Sequence, residues 1–504
     1  MISSVNKSEL FASLPAPWPE DLLPRIRAGV AKSRRKVVVL DDDPTGTQTV
    51  YDVPVLTTWQ PEELAREFTN DLPCFYLLTN TRAFPAAEAV RINQEIARNL
   101  TVAAMRSPGR NDFVVVSRSD STLRGHFPAE TDALGRTLVG GGAQTPPVLL
   151  VPYFEAGGRY TVNDVHYVAE GDNLIPAAET PFAKDAAFGY ANSNLREWVE
   201  EKTNGAVKAA AVKSISLDDL RVAGPDAVKA KLLSLREGEV CFANAAAPRD
   251  LEVLAWACLQ AENAGSRLMY RTAASFVAAR LGLATRELWR PGQRAERGCV
   301  TDQPQHSVSA KVLRLAEDGT AALQPRNSGG LVIVGSYVPK TTTQLERLLA
   351  CGDVERVEIP VEKILDASQR DATLTCAIER ANAGIKAGRD VVVFTSRTLV
   401  TGAGAEASLA IGNHVSAALV ELLQRIEAPP RYLIAKGGIT SSDLATRGLG
   451  VKRAMVLGQI LPGIPVWELG AETKFPGMPY VVFPGNVGGP DALAEAVSKF
   501  NFVK

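Results

Sequence analysis

The chain has 504 residues, 46% hydrophobic and 22% charged, with 40 Gly and 31 Pro in mixed context, a length that exceeds one core and calls for two or three domains. Lys and Arg number 55 against 56 Asp and Glu, a formal charge of -1, so no basic excess marks a polyanion binder and nucleic acid is excluded as a partner. The six cysteines lack a CxxC pair, the four histidines are dispersed, no apolar run approaches the roughly 18 residues a bilayer needs, and Met1–Glu20 has no signal-peptide pattern, which together predict free thiols, no zinc site, no membrane partner and a cytoplasmic location.

Residues 1–35 read as an N-terminal extension. A design then recurs: a short aliphatic run, a polar turn bearing Gly or Pro, a helical stretch. Lys36–Leu40 leads into Asp41-Asp42-Asp43-Pro44-Thr45-Gly46-Thr47, where Pro44 and Gly46 allow a tight turn. A carboxylate of Asp42 or Asp43 there can accept the proton of an attacking hydroxyl or align it. Ile92, Ile96, Leu100 and Ala103 are spaced by four and three, a helical face. Phe113–Val116 leads into Ser117 through Gly125, and Val148–Val151 into Pro152 through Arg159. Arg118, Arg124 and Arg159 are guanidinium groups able to grip a carboxylate in bidentate fashion, and Asp120 and Ser121 can hydrogen-bond sugar hydroxyls. Thr45, Ser119 and Thr122, each taken singly, read rather as caps or surface partners. Residues 36–290 are assigned to one domain on this pattern.

Residues 291–330 are richer in Gly, Pro, Gln and Ser and read as a linker, with an edge-strand segment at Ser307–Leu315. The design resumes over 331–504. Leu331–Val334 precedes Gly335-Ser336-Tyr337-Val338-Pro339-Lys340-Thr341, and Val391–Phe394 precedes Thr395-Ser396-Arg397. Tyr432–Ile434 precedes Lys436-Gly437-Gly438-Ile439-Thr440, and Tyr480–Phe483 precedes Pro484 through Gly489. Glycines here let backbone N–H groups approach phosphate oxygens; Thr440 to Asp443 is N-cap material, and Gly485 and Gly488 can pass close to an adenine or a phosphate. No GxxxxGK[ST] loop and no G-x-S-x-G elbow occurs, and Gly402 to Ala407, of G-x-G-x-x-A spacing, lies too far from its strand to be a dinucleotide fingerprint. The alternation predicts an α/β protein of two domains, with mainly parallel sheets flanked by helices and ligands at the carboxyl ends of the strands.

The ordered motifs resemble the four-carbon acid sugar kinase family, over about Lys36 to Val497. They are the turn Asp42 to Gly46, the segment Arg118 to Gly125, Pro152 to Arg159, Thr180-Pro181-Phe182…Asp185, Gly335-Ser336 with Thr342 or Thr343 and Gln344, Gly437-Gly438-Ile439-Thr440, and Pro484 through Gly489. The resemblance implies an N-terminal acid-sugar domain, a C-terminal ATP-binding domain and an active site in the cleft between them, with ATP and Mg²⁺ as cofactors. It puts Asp42 and Asp43 at the chemistry, Arg118, Asp120, Ser121, Arg124 and Arg159 on the sugar acid, and Ser336, Lys436, Gly437, Gly438, Ile439, Thr440, Gly485 and Gly488 on ATP; a homodimer is compatible with it. Two departures stand out: Ile439 replaces the family Asp, with Asp443 four residues on as a substitute, and Val338 replaces a small polar residue. The competing readings are a non-catalytic nucleotide or sugar-acid sensor and an NAD(P)-dependent hydroxy-acid dehydrogenase.

Overall fold

The aliphatic runs form strands buried along their whole length: all six residues of Lys36–Asp41 and all four of Val148–Val151 are buried, as expected where helices cover both faces of a parallel sheet. The computed structural model of the chain describes residues 3–109, 112–141, 145–293, 328–352, 354–397, 400 and 405–501. The segment Ser307–Leu315 and the first part of Gly402 to Ala407 lie outside the described residues. Contacts divide the chain into two compact units, one of residues 1–53 and 58–286, the other of residues 54–57 and 287–504.

In the first unit the strand order is Lys213–Ile215, Val240–Ala243, Val148–Val151, Met269–Thr272, Phe113–Arg118, Lys36–Asp41 and Cys74–Leu78, with every adjacent pair parallel. The register sets Asp41 opposite both Arg118 and Leu78, and Thr272 opposite both Arg118 and Val151. Five strands therefore end level, and their loops open on one edge. Helix Ala86–Met105 turns Ile92, Ile96, Leu100 and Ala103 inward; truncating any of the three large ones to Ala would cost about 2–5 kcal/mol. Two features escaped the sequence pattern. Residues 3–35 are built into this unit, with Leu22 and Ile26 wholly buried. Val5–Asn6 also pairs with Asn173–Pro176 in a small antiparallel sheet completed by Val165–Glu170 and Arg159–Val162.

The second unit has a mixed sheet. Val354–Ile359, Asp390–Thr395, Leu331–Val334, Leu433–Lys436 and Pro479–Phe483 run parallel in that order. Ile464–Leu469 is antiparallel to Pro479–Phe483 and to Arg453–Leu461. Beside the last of these lies Val53–Leu56, drawn from the first half of the chain, and Thr57 N–H donates to Lys452 O at 3.1 Å. Val334, Lys436 and Phe483 share one register level, as do Val334 and Phe394, so the loops after them also gather at one edge. Trp289, Val332, Ile434, Val481 and Phe500 belong to the core behind it. Among the described residues no helix is long and apolar enough to cross a membrane, and the five described cysteines are unpaired.

Candidate functional site

At the loop edge of the first unit, acidic and basic side chains alternate. Asp41 closes its strand and accepts from Arg118 at 3.0 Å. A Cβ on Gly46 would land on the Asp41 carboxylate, so the glycine is required by that close approach. Asp42 Oδ1 accepts from Arg82 at 2.8 Å and Asp42 Oδ2 from Ser119 Oγ at 2.6 Å. Arg82 also reaches Asp43 at 3.5 Å and Asp120 at 3.6 Å. Arg124 donates to Asp120 at 2.8 Å and lies 3.5 Å from Asp185. Behind Ser119 stands Arg271, which donates to Ser119 Oγ at 2.7 Å and to Glu130 at 2.6 Å. Gly125, at φ +121°, lets the loop pass this knot: a Cβ there would meet Arg271 and Ser119 at 2.6 Å.

These surroundings push neighbouring carboxyls in opposite directions. Burial, only partly offset by Arg118, raises Asp41 to about 7. Burial likewise raises Asp42, against the pull of Arg82 and Arg271. Burial also acts on Asp43 and Asp120, but there Arg82 prevails, with the Thr45 hydrogen bonds holding Asp43 below the usual carboxylate range and Arg124 helping to hold Asp120 there. Paired carboxyls driven apart in this way separate the proton acceptor from the fixed anions. Asp42 is the acceptor candidate, since each of its oxygens takes one hydrogen bond and keeps a lone pair.

Arg159 differs from the other arginines of this cluster. Its guanidinium lies 5.3 Å from the Phe182 ring centroid, with Arg124 at 5.2 Å from the same ring. Its Nε is buried without a partner, as are those of Arg82 and Arg118, but among the described residues no acid forms an ion pair with it, and burial lowers its pKa. It is therefore available to an anion, whereas Arg118 and Arg124 are committed to acids. Ser121 is fixed through its backbone: its carbonyl lies 2.8 Å from His166 Nε2, and His166 Nδ1 lies 2.9 Å from the Thr161 hydroxyl. Burial pushes His166 down to about 4, so its neutral ring donates to Ser121 and accepts from Thr161. A pocket opens here, lined in part by Ser119, Asp120, Leu123, Arg124 and Arg271.

All seven sequence-predicted residues of this half thus fall in one cluster. The sequence reading missed Asp41, Arg82 and Arg271, and took Ser119 for a cap. Arg271 had a signal: an arginine inside the buried strand Met-Tyr-Arg-Thr needs an acid. Arg82 stands in the polar turn after Cys74–Leu78, the same position as the residues that were chosen.

At the loop edge of the second unit glycine backbone packs closely against small side chains. A Cβ on Gly335 would come 2.5 Å from Thr440 Oγ1, and one on Gly437, at φ +123°, 3.1 Å from Ser336 Cβ and from Thr440 Oγ1. Gly485 likewise sits 3.3 Å from Ser336 Oγ on the same measure. The predicted residues Ser336, Gly437, Thr440 and Gly485 therefore converge. Lys436 is fully buried; its Nζ donates to Pro484 O at 2.6 Å and Gly485 O at 3.3 Å, and lies 4.0 Å from the Phe483 ring centroid. Burial, helped by Lys340, pushes it down to about 7. Its side chain thus clamps the Pro484 loop. Thr341 adds a bond to Gly485 O at 2.9 Å, and Gln344 holds Val487 O and Gly489 O at 3.0 and 2.8 Å. Gly488, at φ +86°, makes the turn before Ala492. Gly438 opens the helix Gly438–Asp443, and Ile439 on it is 63% exposed. Asp443 accepts from Ser416 and lies 3.9 Å from Arg447. Among the described residues no group of three or more His, Cys, Asp or Glu is placed to hold a metal ion.

Residues 37–280 match the family model of a sugar-binding N-terminal domain, and residues 331–493 that of a nucleotide-binding C-terminal domain. Among solved structures the chain resembles a Salmonella typhimurium LT2 protein provisionally described as a tRNA synthase. The TM-score is 0.61 and the identity 17%, over 92% of this chain and 98% of that one. A Haemophilus influenzae protein of a family of unknown function gives a TM-score of 0.59 and 17% identity, over 92% of this chain and 100% of the other. At such identity the likeness concerns the fold alone. No match was found among curated proteins.

Proposed function

We propose, because the chain belongs to the four-carbon acid sugar kinase family, that it transfers a phosphoryl group from ATP to a hydroxyl of a small sugar acid of the tetronate or 3-oxo-tetronate type. The observation that carries this is the first unit's bringing together, in one cluster, of a buried carboxyl raised in pKa, Asp42, and a guanidinium with no acid partner among the described residues, Arg159. A base and a carboxylate clamp are what such an acceptor requires.

Arg159 pairs with the acid's carboxylate, and Asp120 and Asp43, held ionised, orient hydroxyls by accepting their hydrogen bonds. Asp42 takes the proton as the substrate oxygen bonds to the terminal phosphorus; the bond from that phosphorus to the bridging oxygen breaks and ADP leaves. Gly335, Gly437 and Gly485 bring backbone close enough to hold phosphate oxygens, with Ser336 and Thr440 beside them. ATP supplies the phosphoryl group, and Mg²⁺ bound with it would offset the charge on its phosphates. Phosphoryl transfer relies on positioning and charge stabilisation more than on covalent chemistry, which a rigid charged cluster provides.

The test is an ADP-release screen over four-carbon and related aldonic acids with ATP and Mg²⁺. Release dependent on one such acid is expected. ATP binding without release for any acid would replace the kinase by a sensor, and a nicotinamide absorbance change would replace it by a dehydrogenase.

A further inference from the structure

Arg397 stands two residues beyond the strand Asp390–Thr395, whose Phe394 is level with Val334 and hence with the entry to Gly335-Ser336. One nitrogen of its guanidinium, NH2, donates to Ser336 O and to Thr342 Oγ1, both at 2.8 Å. The other two, Nε and NH1, are buried and have no partner. Among the described residues no acid forms an ion pair with Arg397, and the one carboxylate that acts on it, Glu346, does so from beyond contact. The nearby lysines repeat the pattern. Lys436 and Lys340 spend their donors on backbone carbonyls of the Pro484 loop, Lys340 on Asn486 O at 3.2 Å.

An arginine held through NH2, the nitrogen shared by both of its bidentate edges, keeps an N–H on either side of it, Nε–H and NH1–H, each able to donate to a separate anionic oxygen. Arg397 is half-buried, but leaving two buried N–H groups unpaired is costly, and burial lowers its pKa. The strain is relieved when an anion arrives. These donors lie at the loop where Gly335 and Gly437 close on Thr440, the part of the unit that only glycine backbone can form.

We propose that Arg397 binds phosphate oxygens of the nucleotide through Nε and NH1, with Ser336 O and Thr342 Oγ1 holding the guanidinium in that pose. The inference deepens the kinase reading and rests on it. Arg397 then makes the unit select nucleoside polyphosphates over nucleosides, by a residue that none of the glycine motifs contains.

The experiment is isothermal titration of the full chain and its Arg397→Met and Arg397→Lys variants with ATP, ADP and adenosine, without sugar acid. Loss of two charge-assisted hydrogen bonds predicts a fall in ATP affinity of roughly tenfold or more in Arg397→Met. Partial recovery is expected in Arg397→Lys, which restores the charge without the two separately aimed N–H groups, and adenosine affinity should not change. Thr342→Val, which removes one anchor, is expected to lose a smaller part. Equal ATP affinity in wild type and a folded Met variant overturns the inference alone, as does an equal loss for adenosine, the mark of a merely structural role. If the Met variant does not fold, ATP affinity in the Lys variant equal to wild type overturns it. A wild-type chain that binds no ATP overturns the nucleotide reading and the inference with it.

Discussion

The two loop edges hold charge in opposite ways. At the loop edge of the sugar-binding unit four arginines meet acids, Arg118 with Asp41, Arg82 with Asp42, Arg124 with Asp120 and Arg271 with Glu130, and Arg159 forms no ion pair among the described residues. In the nucleotide-binding unit Lys436, Lys340 and Arg397 are tied to carbonyl or hydroxyl oxygens and to no acid. The difference follows the ligands proposed for each. A sugar acid carries a single negative charge and several hydroxyls, so its site needs a prearranged lattice with one open cation. A nucleotide brings several charges of its own, and a site that supplied counter-acids would repel it.

The comparison can be broken most forcibly at Asp42. Asp42→Asn should cut turnover at least ~100-fold, the scale of general-base loss, while leaving ATP affinity unchanged by calorimetry; unchanged turnover would remove Asp42 from the chemistry. Next in size, Arg159→Met should raise the KM for the sugar acid roughly tenfold or more, as one charged contact is worth, with ATP affinity again unaffected. Equal KM values would mean that the open cation is not the clamp. Gly46→Ala tests the rigidity of the lattice: forcing a methyl onto the Asp41 carboxylate should cost about 1–3 kcal/mol in denaturant unfolding. Gly489→Ala in the other unit, where nothing lies within 4 Å of the added Cβ, should stay within about 0.5 kcal/mol.

The last contrast is a pair of opposed pH slopes, read as unfolding temperatures of wild type against single variants. Asp41 is raised from 3.8 to about 7 when folded. Between those values the folded chain keeps a proton that the unfolded chain has released, so this group's stabilisation is full below pH 4 and is lost as pH rises to about 7. The difference between wild type and Asp41→Asn should fall over that window. Lys436 is lowered from 10.5 to about 7, so there the unfolded chain holds the extra proton. Wild type should gain stability over Lys436→Met as pH rises from about 7 to about 10. Shifts of a few degrees are expected, at about 2–4 °C per kcal/mol, and parallel slopes would contradict the assignment.

What could be read from the sequence was local. Lys36–Leu40 and Val148–Val151 announced doubly covered strands because β-branched and aliphatic residues follow one another without alternation, and both are buried throughout. The pairs within turns were also within reach, since Asp43 with Thr45 and Asp120 with Thr122 are two residues apart. What joins Asp42 to Arg82, or Ser119 to Arg271, is the level ending of strands far apart in the chain. No spacing encodes that register, so the commitment of Arg118 to Asp41 and the freedom of Arg159 emerged only with the fold. The small antiparallel sheet that begins one strand at Arg159 went unread for a related reason: its strands are two to six residues long, too short for alternation to register.

The strand at Val53–Leu56 bears on how this protein can be taken apart. Residues 54–57 belong to the second unit while their neighbours on both sides belong to the first, so the polypeptide passes between units three times and no single cut releases either of them intact. A gene fragment coding for 287–504 would leave Arg453–Leu461 without its border strand, an open hydrogen-bonding edge of the kind that recruits other chains. Dissection should therefore proceed by adding that peptide back, or by splicing residues 54–57 onto the fragment, instead of trimming at the apparent boundary.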